Sequence, residues 1–88
     1  KDLITFYYRS DKVLGGIQKT VKRITVDDRY AWEVELLDGV VLRLGKEKQL
    51  ERLYRFVDVY NHAVVGFTKS IDYVDMRYED GFAIGTKS

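Results

Sequence analysis

Strand-type alternation in three segments, a later switch to helical spacing, and two Asp-Gly pairs set between apolar runs predict an α+β domain. The expected architecture is an antiparallel β-sheet of hairpins with an amphipathic helix packed on one face.

Taken in chain order, "LITFYYR" (Leu3–Arg9) is rich in β-branched and aromatic residues and is compatible with a strand, and "SDKVLGG" after it is turn-prone. Residues 1–20 are therefore set apart as an N-terminal segment of open role, and 21–88 as the main unit. "VKRITV" (Val21–Val26) alternates and reads as a strand. "YAWEVELL" and "VVLRLG" flank Asp38-Gly39, a strong hairpin signal. A two-residue loop there would put Arg43 on the face of Trp32, Val34 and Leu36. A three-residue loop, Leu37–Gly39 with Gly39 left-handed, instead sets Leu36 opposite Val40, Val34 opposite Leu42 and Trp32 opposite Leu44. One face is then wholly apolar, and Glu33 faces Arg43 on the other.

From Lys46 to about Asn61 the period lengthens. Leu50, Leu53, Phe56, Val57 and Tyr60 form one helical stripe that should cover the apolar face of the sheet, with Glu51 four residues before Arg55 as a supporting pair. "YVDMRYEDGFAIG" (Tyr73–Gly85) reads as a last hairpin. A three-residue loop at Glu79–Gly81 sets Tyr78 opposite Phe82 and Met76 opposite Ile84, with Val74 on the same core side. Tyr73, Asp75, Arg77, Ala83 and Gly85 then share the outer face, where small residues would leave the last strand's backbone open to approach.

Composition narrows the function. With 88 residues the chain holds one domain at most, and with no cysteine it can build neither a disulfide framework nor a thiolate metal site. A net charge of +1 with interspersed acids and bases gives no compositional case for nucleic acid or an anionic membrane. No apolar run approaches the ~20 residues that a spanning helix needs. The chain opens "KDLITF" without an initiator methionine or signal-peptide pattern, so Lys1 is expected to be a cut point in a longer protein whose targeting segment lies upstream.

No catalytic constellation emerges. Asp27 and Asp28 are adjacent in a turn, Asp72 and Asp75 point to opposite faces of one strand, and His62 is the sole histidine. Gly15-Gly16 lacks the spacing of a phosphate loop, and the serines lie outside any nucleophile elbow. The chain is therefore read as non-enzymatic and without cofactor or metal. Tyr and Arg interleave as in single-strand nucleic-acid readers, which stands as the alternative, beside a purely structural packing domain; Asp72, Asp75, Glu79 and Asp80 would cancel such a basic field. An interaction module fits better, with the last strand as a candidate for strand addition because it contains no proline or charge before Lys87.

The tryptophan strand with "DG" and "LRLG", the "ERLYRFVDVY" helix and the "YVDMRYEDGFAIG" hairpin, in that order from Val21 to Gly85, resemble the C-terminal part of the periplasmic β domain of the FtsQ/DivIB family. The resemblance implies a non-enzymatic scaffold of the bacterial divisome, anchored in the inner membrane by an upstream single-pass helix. It implies FtsB and FtsL as protein partners, FtsB adding a strand to the domain's last strand in support of septal cell-wall synthesis. It also implies site residues: Arg77 and Tyr78 match the "RY" bordering the FtsB site, Phe82, Ala83, Ile84, Gly85 and Thr86 match the pairing strand, and Arg29 matches a basic position that helps bind the helical part of FtsB.

Overall fold

The computed structural model describes residues 3–64, 66 and 70–87. Among these residues two α-helices and five strands run in the order α1 (Leu3–Gly15), β1 (Val21–Val26), β2 (Trp32–Leu36), β3 (Val41–Gly45), α2 (Gln49–Val59), β4 (Ile71–Asp75) and β5 (Ala83–Thr86). The strands form one sheet in chain order, β1-β2-β3-β4-β5. The expected α+β fold is present, with one difference in the sheet. β3 and β4 pair in parallel, Leu42 opposite Val74, because α2 carries the chain back across the sheet before β4 begins.

The β2–β3 hairpin has the expected loop. Leu36 N–H donates to Val40 O at 2.8 Å, and Gly39 takes φ 97°. Val34 faces Leu42 and Glu33 faces Arg43, whereas Trp32 lies opposite Gly45 rather than Leu44. A bulge between Trp32 and Glu33 shifts the register there, where Gly45 turns left-handed at φ 83°.

The first segment is a correction. Leu3–Arg9 is not a strand but the start of α1, which buries Phe6, Ser10 and Leu14 at four-residue intervals. Local β propensity yields here to the three-dimensional demand for cover over the sheet's apolar face. Phe6 meets Trp32 edge-to-face at 4.9 Å between ring centroids. Phe6, Leu14 and Ile17 join Val34, Leu36, Leu42, Leu44, Leu53, Phe56, Val74 and Met76 in a single core, so residues 3–17 brace the same body as the rest.

α2 begins three residues later than the expected Lys46, after Lys48 in a left-handed conformation, and ends in a π-helical turn, Tyr60–Val64. Its stripe faces the sheet as expected: Leu53 and Phe56 are buried, and Leu50, Val57 and Tyr60 pack at the margin. Among the described residues no helix is long and apolar enough to cross a membrane.

Candidate partner-binding edge

β5 is the last strand of the sheet and pairs with β4, Tyr73 opposite Gly85, Val74 opposite Ile84 and Asp75 opposite Ala83. Among the described residues no strand lies on its other side. Two hydrogen bonds fix which main-chain groups face outward. Met76 N–H donates to Arg43 O on β3 (2.9 Å), so by alternation Tyr73 and Asp75 turn their main chain toward β5. Lys87 N–H donates to Ser70 O (3.1 Å), so Gly85 and Ala83 turn theirs toward β4. Ile84 and Thr86 are left presenting N–H and C=O to the open side. β1, at the opposite edge, carries Lys22 and Arg23, both near Glu35, and charge on an edge discourages pairing. β5 carries none.

The last hairpin departs from its expected register. Ile84 lies opposite Val74, not Met76, and residues 76–82 form the connection between strands. Arg55 on α2 explains the early exit from the ladder. Its Nη1 donates to Glu79 O (2.8 Å), and its Nη2 to Met76 O (3.1 Å), Gly81 O (2.9 Å) and Tyr78 O. Those carbonyls go to the helix rather than to cross-strand partners. Arg55 thus serves the loop instead of pairing with Glu51 along α2, as its spacing suggests.

Val74 and Met76 are on the core side as expected, but two other residues change sides. Tyr78, expected in the core, is 54% exposed, because the chain has left the strand by then. Asp75, expected on an open face, is only 3% exposed. Its Oδ1 accepts from Arg77 Nε (2.8 Å) and Arg77 N–H (3.1 Å), and its Oδ2 from Arg77 Nη2 (2.6 Å). The Arg77 guanidinium holds the Asp75 carboxyl below the ordinary carboxylate range against the opposing effect of burial, and Asp75 in turn raises Arg77. This fork uses one edge of the guanidinium. Its Nη1 edge remains for other acceptors, on a side chain 52% exposed.

The outer face over Gly85 is not open either. A Cβ at Gly85 would fall inside the ring of Tyr73, whose distal atoms lie on the glycine backbone. Arg43 stacks over that ring, 4.0 Å from Cζ to centroid, giving a row Arg43, Tyr73, Gly85 that runs to the sheet edge. Ala83 and Ile84 are half-buried, Phe82 packs at the core margin and Thr86 is exposed.

Arg77 also borders a shallow depression with Ala31, Gly45, Lys46, Glu47 and Arg52. Arg52 Nη1 donates to Leu44 O (2.6 Å), and a side chain at Gly45 would collide with Arg52 Nη1 (2.7 Å) and crowd Arg77 Cγ (3.1 Å). Arg29 is exposed in the turn leading to Ala31. Asp27 Oδ1 accepts from Arg29 N–H (2.8 Å) and Ala31 N–H (3.0 Å), which lowers its pKa and gives Asp27 a structural task. The same turn holds Tyr30 at φ 62° and 74% exposed, a left-handed aromatic that sequence reasoning passed over. The signal for it was the Asx turn in "VDDRY".

His62 sits exposed on the π-helical turn, its Nδ1 2.8 Å from Asp58 O. Among the described residues no cluster of three His, Cys, Asp or Glu side chains could hold a metal ion.

Residues 2–77 match the family described as "Cell division protein FtsQ/DivIB, C-terminal". Three proteins named "Cell division protein FtsQ" are similar to the chain. That of Aliivibrio fischeri is 36% identical over 88 residues, 100% of this chain and 34% of that protein. That of Haemophilus influenzae is 45% identical over 64 residues, 73% of this chain and 25% of the relative, and that of Neisseria gonorrhoeae 39% over 83 residues, 94% and 34%. The chain spans at most about a third of the length of these relatives. The family match ends before β5, but the Aliivibrio alignment runs through it. By fold, by motif order and by these similarities, the chain belongs to the FtsQ/DivIB cell-division family and corresponds to its C-terminal region.

Proposed function

We propose that this chain is the docking domain of a divisome scaffold, and that it binds FtsB, in company with FtsL, by adding an FtsB strand to β5. The observation that carries this reading is the position of β5 at the sheet's edge, its outer side without a strand among the described residues and free of charge. Main-chain pairing at Ile84 and Thr86 supplies affinity. The free edge of Arg77 supplies a charge-assisted bond to an acidic residue of the partner. Tyr78 and Phe82 precede the docking strand, Ala83 and Gly85 belong to it with their main chain turned to β4, and Arg29 lies in the turn beside the depression that Arg77 shares with Ala31.

On this reading residues 21–88 form the partner-binding unit and 1–20 brace it. The domain works without catalysis, on the periplasmic side of the bacterial inner membrane, and a single-pass anchor outside this chain holds it there. It supports septal cell-wall synthesis by gathering other proteins.

Titrating labelled protein with the FtsB periplasmic segment tests the proposal. The amides of Ile84 and Thr86 should shift and become protected from exchange, while those of β1 stay unchanged. Shifts confined to β1, or none at all, would rule out docking on β5. A parallel titration with single-stranded oligonucleotide should give no salt-dependent binding.

A further inference from the structure

The docking edge begins where residues 76–82 end, and that connection has little regular structure of its own. Met76 N–H is tied to β3 and Arg77 folds onto Asp75. Beyond Arg77, the carbonyls of Tyr78, Glu79 and Gly81 all converge on one side chain, Arg55, which also reaches Met76 O. Nη2 has two hydrogens and three carbonyl acceptors, so at least one hydrogen is shared. No single-nitrogen side chain can reproduce that geometry, because a lysine ammonium is a point donor whereas the guanidinium is a planar fork. Arg55 itself is half-buried beneath the loop and sits on α2, whose buried face is locked into the core by Leu53 and Phe56.

We infer that Arg55 is the positioning residue of the docking site: it fixes the 76–82 connection so that Arg77, Tyr78 and the start of β5 are already in their binding geometry before a partner arrives. This rests on the strand-addition reading above. Arg55 acts through the loop and need not touch the added strand. Where the loop is unset, only a fraction of molecules is competent to bind, and apparent affinity falls by that fraction. The loss then appears in the association rate, whereas loss of a direct contact appears in dissociation.

The test compares Arg55→Met, Arg55→Lys and Val57→Ala, the last a truncation on the same helix of a side chain that packs against the core and has no donor for the loop's carbonyls. Each is measured by thermal unfolding, by amide spectra of the free protein and by binding kinetics with the FtsB periplasmic segment. Arg55→Met should shift the amides of residues 77–83 in the free state and lower affinity about tenfold through slower association. Arg55→Lys should recover only part of this. Val57→Ala should lower the melting temperature without altering the binding rates. Unchanged affinity in Arg55→Met, or a loss carried by faster dissociation, overturns the inference. An equal loss in Val57→Ala at matched stability overturns it as well. Failure of the unmodified protein to bind the FtsB segment removes the strand-addition reading instead, and with it any docking role for Arg55; the free-state spectra then still report whether Arg55 orders the loop.

Discussion

Arg77 closes a two-pronged fork on Asp75, Nε to Oδ1 at 2.8 Å and Nη2 to Oδ2 at 2.6 Å, so a half-exposed arginine proposed for partner binding also holds a buried carboxylate. The two tasks cannot be separated by charge reversal. Arg77→Glu would leave Asp75 facing a second carboxylate, and the variant should lose stability as well as binding. Arg77 is half exposed, so water softens the penalty, and roughly 1–3 kcal/mol is expected. Arg77→Gln, which keeps one donor, should cost less while still weakening FtsB. Urea unfolding beside a binding titration checks both. An Arg77→Glu variant as stable as the parent would mean that Asp75 finds another partner.

Proline separates fold from docking along β5. At Ile84 the N–H points outward, so Ile84→Pro should remove strand addition while leaving a cooperative melt. At Gly85 the N–H faces β4 and the ring of Tyr73 lies on the backbone, so Gly85→Pro should disrupt the sheet itself. Circular-dichroism melts with binding curves for the pair decide this. Retained FtsB affinity in a folded Ile84→Pro protein would count against pairing on that side.

Tyr73 and Gly85 should be coupled. Gly85→Ala forces the ring aside and should cost about 1–3 kcal/mol. In a Tyr73→Ala background that cost should largely vanish, because nothing else approaches within 4 Å of a Cβ there as closely as the ring. A double-mutant cycle measures it; simple additivity would show that the ring is free to move.

Acid should weaken the fold through specific carboxylates. Asp75, held down by Arg77, Asp27, held down by the N–H groups of Ala31 and Arg29, and Asp38, where Lys19 and Val40 N–H outweigh burial, all have lowered folded-state pKa values. A lowered pKa contributes stability that is present above the unfolded value of about 4 and lost as pH falls through the folded one. Lys19, raised mainly by its bond to Asp38, has the opposite sign: its contribution holds below about pH 10 and fades as pH rises further. Denaturant midpoints should therefore be level across neutral pH and drop below about pH 4. Arg77→Gln should flatten part of the acid limb. A midpoint that is unchanged on acidification would remove these groups from the account.

Much of the architecture was legible in the residues alone because two periods do not resemble each other. Alternation marked β1, β2 and β3, helical spacing marked α2, and the glycine of Asp38-Gly39 selected the three-residue loop, since only that register keeps Val34 with Leu42 and Glu33 with Arg43. The motif order carried the family. These are local signals, readable within a dozen residues.

Long-range contacts decided the rest. "LITFYYR" has strand-like chemistry, yet it is helical because Phe6 and Leu14 must reach Trp32 and the core. The parallel join of β3 to β4 depends on α2 crossing the sheet, which no local pattern encodes. The last hairpin slipped from its expected register because Arg55, more than twenty residues away, takes the carbonyls that a ladder would have used. That single tether moved Tyr78 from core to surface, while the fork to Arg77 let Asp75 be buried. Whether β5 would lie at an edge among the described residues depended on the order of all five strands, and strand order is a property of the packed sheet rather than of any stretch of chain.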